Sequence, residues 1–168
     1  AGDMLCDTDL RSFVRAHRER GDAATLLLRT DPRTARFGSI GIDGEGTVRR
    51  IGASFDLGGE TASGLFVGVR ALAARAFDTL DDRAARGGAF EDLRDWLAPL
   101  VERGARDVRG PARSERDLVW EPVGRPSEYC AANLAPPSLA WAGAPWPLAA
   151  GTRVEGDVVI GAGAVVPT

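Results

Sequence analysis

Apolar positions along this chain switch between two periods, and the switches mark its elements. Leu10, Phe13, Val14 and His17 fall three or four apart, which predicts a helix with Asp9 as N-cap and Gly21 as stop. Ala24-Thr25-Leu26-Leu27-Leu28-Arg29 is a nearly unbroken apolar run, the pattern of a strand covered on both faces. Alternation over 37–42, a turn at Asp43-Gly44-Glu45-Gly46 and a return over 47–51 predict a hairpin, followed by a glycine-rich loop over 52–60. Residues 61–69 read as another strand. Gly64 lies inside it, where a glycine signals a bulge or the close approach of a ligand or a backbone. Helical spacing returns at Leu72, Ala76, Phe77 and Leu80, and again over 90–103, split by Pro99 and ended by Gly104. Short strands are expected over 105–109 and 117–120, then a turn at Gly124 that enters a short helix ending near Asn133.

The last part of the chain has a different character. Residues 135–150 hold four prolines, two tryptophans and no charge, and read as a linker crossing a surface. Beyond them Val154, Ile160 and Val166 stand six apart with glycines interleaved, as in the hexapeptide rungs of a parallel β-helix. A valine-rich strand pair is the simpler alternative. Rungs this few cannot bury their face alone, so they would lean on the domain, on a partner or on further chain. The parse is an α/β domain over 1–134, a linker over 135–150 and a β-helix start over 151–168.

Composition narrows the chemistry. The 168 residues are 44% hydrophobic and 27% charged, with a net charge of -3, which gives no reason to expect nucleic acid or an anionic membrane as partner. All 21 basic residues are arginine, so Schiff-base chemistry and a phosphate-binding lysine are excluded within this chain. Two cysteines and one histidine cannot build a zinc site, and His17, on the periodic face of the predicted helix, reads as packed or half-exposed rather than catalytic. No stretch reaches transmembrane length and no basic-then-apolar leader opens the sequence, so a cytoplasmic protein is the default.

The stretch Gly2-Asp3-Met4-Leu5-Cys6-Asp7-Thr8-Asp9 stands out for three aspartates behind a glycine. A carboxylate where a strand meets a loop can hold Mg²⁺ against a phosphate. The plainer reading makes Asp7, Thr8 or Asp9 an N-cap and Asp3 a loop carboxylate.

The order of motifs resembles the sugar-1-phosphate nucleotidylyltransferase family over nearly the whole chain. Gly2-Asp3 is similar to the family's magnesium-binding Gly-Asp segment, and Phe37-Gly38 with the Asp43-Gly44 turn to its hairpin. Ser63-Gly64-Leu65-Phe66-Val67 resembles its sugar-contacting strand. Trp120 through Tyr129, with Ala132-Asn133, resembles its closing Trp-x-Asp-x-Gly segment, and many members continue into a left-handed β-helix. The resemblance implies the C-terminal part of a Rossmann-like nucleotidyltransferase fold, with Asp3 on Mg²⁺ and Gly64 and Gly124 at the substrate. It also implies the reaction, in which an oxygen of a sugar 1-phosphate attacks the α-phosphorus of a nucleoside triphosphate and pyrophosphate leaves. Positioning and charge neutralisation do the work there.

The departures are equally specific. The family's glycine-rich nucleotide loop, with its arginine and lysine, precedes the part that this chain resembles. Pro122 stands at the position of the second metal aspartate, and neighbouring Glu121 is expected on the other face of an extended segment. Ala53-Ser54-Phe55 replaces a Glu-Lys-Pro, Arg125 a threonine and Ala62 an asparagine. Three readings follow: part of a working enzyme, a diverged homologue that binds or scaffolds, and an unrelated α/β domain whose repeats do the chemistry as in an acyltransferase trimer. An Asp3 facing solvent would mark its metal site as vestigial, and unfinished rungs invite homo-oligomers.

Overall fold

The apolar run at 24–29 does what its pattern requires: as β2 (Ala24–Arg29) it is buried at every position. The computed structural model describes residues 2–79, 91–103, 106–113, 117–134, 149–156 and 158–166. Around β2 stand β3 (Ile40–Ile42), β4 (Val48–Ile51), β5 (Phe55–Asp56), β6 (Ala62–Leu72), β7 (Val108–Arg109) and β8 (Ala112–Arg113). They form a seven-stranded sheet in the order β5-β4-β3-β6-β2-β7, with β8 also beside β2. The pairs are antiparallel except that β7 and β8 run parallel to β2. The class is therefore mixed α/β.

Alternation along β2 divides the core in two. Ala24, Leu26 and Leu28 join Ile40, Val48, Ile51 and Val108 beneath Trp96, Leu97 and Val101. Those last three belong to a wide turn of helix at Leu93–Leu97 and to α3 (Ala98–Glu102). Pro99 has no N–H to give the carbonyl four residues back, which accounts for a widened turn just before it. On the opposite face Leu27, Leu65 and Val67 pack against Phe13, Leu118 and Trp120. Phe13 comes from α1 (Leu10–Arg20), whose N-cap Asp9 accepts the Ser12 N–H at 3.0 Å and which ends on Gly21 at φ 66°. Trp120 comes from a separate ribbon in which β1 (Met4–Asp7) pairs antiparallel with β9 (Val119–Pro122).

Several expectations need correction. Leu72 is a strand residue, because β6 pairs with β2 as far as Ala24↔Leu72 and this long-range ladder outweighs the helical spacing. The helix expected beyond it is a tight turn at Ala74–Thr79, with Phe77 stacked on Trp96 at 5.3 Å. β5 lies within the expected 52–60 loop. Phe37 closes a helical turn, α2 (Thr34–Phe37), instead of opening the hairpin. In the tail, β10 (Arg153–Glu155) and β11 (Val158–Ile160) pair antiparallel with each other. The described tail is thus a hairpin, the simpler of the two alternatives, and not stacked parallel rungs. The linker at 135–150 lies outside the described residues except for Ala149 and Ala150. Among the described residues no helix is long and apolar enough to cross a membrane.

Candidate functional site

The β1–β9 ribbon brings two of the three singled-out residues together. Its register is Met4↔Pro122, Leu5↔Glu121 and Cys6↔Trp120. Met4 and Cys6 turn toward the core with Trp120, whose indole N–H donates to Met4 Sδ at 3.2 Å. Just past the ribbon's end the Val123 N–H donates to the Asp3 carbonyl at 2.8 Å. A Cβ on Gly124 would stand 3.3 Å from Asp3 Oδ2, so a glycine leaves that carboxylate its room. The Asp3 side chain is exposed, and Gly124 is exposed beside it.

The register also corrects the expectation for Glu121. Residues directly opposite in an antiparallel pair point to the same side. Glu121 lies across from Leu5, two positions from Asp3, so it shares Asp3's side of the ribbon while Pro122 shares Met4's.

Gly64 is explained differently. It is buried in β6, and a Cβ there would meet Leu28 Cβ at 2.9 Å and the Arg29 carbonyl oxygen at 3.2 Å. The close approach that sequence reasoning anticipated is made by β2, through the Leu28 Cβ and the Arg29 carbonyl.

Next to Glu121 lies a pocket of about 370 Å³ lined by Arg33, Arg36, Glu121, Pro122, Glu128 and two alanines. Its walls are α2, β9 and α4 (Pro126–Leu134). Asp31 anchors the arrangement. Its carboxylate, 1% exposed, accepts the Arg33 backbone N–H at 2.8 Å and two guanidinium N–H groups at 2.9 and 2.8 Å. Those bonds from Arg33 hold the Asp31 carboxyl below the usual carboxylate range. The same bonds, and then Glu121, push the Arg33 guanidinium further toward its charged form. Arg33 Nη1 donates to Glu121 Oε2 at 2.9 Å, and its guanidinium lies 5.0 Å from the centroid of the Trp120 ring. Phe37 meets the same ring edge-on at 5.2 Å. From the core side the buried Arg29 donates to the Trp120 carbonyl at 2.7 Å. The outermost pair is Arg36 Nη2 with Glu128 Oε1 at 2.5 Å, which holds the Glu128 carboxyl low.

No protein-family model matches the sequence, and no curated protein matches it.

The site therefore rests on its own geometry. Among the described residues no group of three or more histidine, cysteine or acidic side chains gathers as a metal cage. Magnesium needs no such cage, since one or two carboxylates suffice when phosphate and water complete the octahedron. Asp3 can offer that carboxylate, whereas Glu121 already gives an oxygen to Arg33. Sequence reasoning missed Asp31, Arg33, Arg36 and Glu128. The signal for the first two was Asp31-Pro32-Arg33, a turn-forming acid followed at two residues by an arginine. A larger hollow of about 640 Å³ lies at the start of α1. There Asp9 is committed to its cap, and burial pushes the Cys6 thiol up, away from the reactive thiolate.

Proposed function

We propose that the chain is the sugar-phosphate side of a sugar-1-phosphate nucleotidylyltransferase, a Rossmann-like α/β unit. The parent activity is Mg²⁺-dependent transfer of a nucleotidyl group from a nucleoside triphosphate to a sugar 1-phosphate. One observation supports this above the others. The two segments that resemble the family's metal-binding motifs lie far apart in sequence, yet β1 and β9 pair so that Asp3 faces Gly124. Mg²⁺ bound by Asp3 would neutralise phosphate charge as pyrophosphate leaves. The chain's own part is to hold that carboxylate at the ribbon's end and to line the neighbouring pocket with guanidinium groups. It carries no lysine and no Gly-x-Gly-x-Arg loop, so the triphosphate must be held by another segment or subunit.

A second reading, a diverged homologue that binds without catalysing, is favoured by the exposed Asp3 and by the Arg33–Glu121 bond, which engages the other carboxylate on that side. Mn²⁺ in place of Mg²⁺ tests the metal directly. With a sugar 1-phosphate present, Mn²⁺ should broaden the amide NMR signals of Val123 and Gly124, and Asp3→Asn should abolish this. Broadening that is absent, or that survives Asp3→Asn, removes the metal from the site. The 168 residues by themselves are expected to release no pyrophosphate from nucleoside triphosphate, sugar 1-phosphate and Mg²⁺.

A further inference from the structure

Helix α4 touches the rest of the molecule through charge far more than through apolar contact. None of its described side chains is buried. Glu128 and Ala132, one turn apart, are its partly covered residues, while Tyr129, Cys130 and Leu134 are exposed. Glu128 bonds Arg36 across the pocket, and both the backbone N–H and the guanidinium of Arg125 favour the same charged carboxylate. The Arg36–Glu128 pair thus stands at the mouth of a pocket large enough for a small anion, with Arg33 in the same lining. Guanidinium pairs recognise phosphate through parallel N–H···O bonds, and a carboxylate is the internal group closest to phosphate in shape and charge.

We propose that Arg36, beside Arg33 in the pocket wall, forms a phosphate-binding site that Glu128 occupies in the free protein. A phosphate-bearing ligand displaces Glu128 and frees α4 from the pocket. Phosphate brings up to about two negative charges and three strong acceptor oxygens, against the single charge of the carboxylate. The displaced helix loses little, because it buries no apolar side chain here. Glu128 also sits in the first turn of α4, where it can still serve the Arg125 N–H after Arg36 has been taken over. The inference rests on the proposed function only for phosphate as the ligand class; it involves neither Asp3 nor a metal.

Inorganic pyrophosphate, titrated calorimetrically without metal at low ionic strength, is the probe. Glu128→Gln removes the competing charge but keeps a side-chain oxygen for the Arg125 N–H. Its affinity should rise by about tenfold over the unsubstituted chain, the scale of a removed like charge at a partly covered site. Adding Arg36→Gln should erase that gain. An environment-sensitive fluorophore on the exposed Cys130 gives a second reading in the unsubstituted sequence, since the half-buried Cys6 reacts more slowly. Its emission should shift with pyrophosphate, and should not shift in Arg36→Gln. An unchanged or lower affinity in Glu128→Gln, or an emission blind to pyrophosphate, overturns the proposal. Tighter pyrophosphate binding without Mn²⁺ at Asp3 keeps the displacement and removes the transferase reading. The converse pair of results removes the displacement alone.

Discussion

Strand β2 carries a buried carboxylate just outside each of its ends, and the two ends use charge in opposite ways. At the start Asp22, 2% exposed, accepts the Thr25 hydroxyl at 2.9 Å and Arg20 Nε at 2.8 Å, with Arg109 Nε 3.2 Å away. The Thr25 proton goes to Asp22, so its oxygen is left to accept from His17 Nδ1 at 2.9 Å, which assigns the imidazole tautomer. That cluster ties α1, β2 and β7 together. At the far end Asp31 is as deeply buried, but its partners lead outward, from Arg33 to Glu121 and on to Arg36 and Glu128 around an open pocket. Thr25 and Arg29 project to the same side of β2, one toward each cluster. Charge that closes on itself staples elements together, whereas charge that ends at a pocket can be exchanged for a ligand's.

The largest expected effect breaks the closed end. Asp22→Ala should cost about 3 kcal/mol, because it leaves two guanidinium groups and a buried hydroxyl without their shared acceptor. Urea unfolding monitored by far-UV circular dichroism measures this. A loss under about 1 kcal/mol would mean that the cluster relaxes like a surface pair.

Next in size is a pH effect confined to the same end. Burial holds His17 below its ordinary 6.5, the nearby Asp22 opposing and Arg20, Arg75 and Arg18 reinforcing that shift. A depressed folded value means that the unfolded chain takes up the proton first. The stability contributed by neutral His17 is therefore complete above pH 6.5 and falls as pH drops below it, through the folded value. His17 is the only histidine, so its imidazole NMR titration reads the value directly and His17→Gln should flatten stability in that window. A titration above 6.5 would contradict the buried, neutral assignment.

The two ends also differ in how far the sequence disclosed them. Near the closed end, Asp9, the helical spacing and Gly21 defined α1, and the apolar run defined β2, because those features depend on local chemistry. The polar cluster itself joins residues 17, 22, 25 and 109, and no spacing rule connects the last of these to the others. Leu72 was misread for a similar reason: its partner Ala24 lies in a distant strand. At the open end motif order identified Asp3 and Gly124, which the fold does bring together. Whether Glu121 or Pro122 shares Asp3's side depended on a register that only pairing sets. The arginines were hidden by composition. With every basic residue an arginine, Arg33 and Arg36 carried no distinguishing mark until Asp31 and Glu128 were seen against them.

The smallest expected effect tests whether the open end is expendable to the fold. The side chains of Arg36 and Glu128 are 44% and 17% exposed, so water and salt screen their attraction and side-chain ordering offsets part of it. Arg36→Gln should lower global stability by about 0.5 kcal/mol or less, and high salt should shrink even that difference. A short bond at a pocket mouth with so little bearing on folding fits a contact kept for exchange. If Arg36→Gln instead unfolds the chain as readily as Asp22→Ala, the pair is a staple like its counterpart, and both ends of β2 serve the fold alone. Urea titrations of the two variants at low and high salt decide between these outcomes.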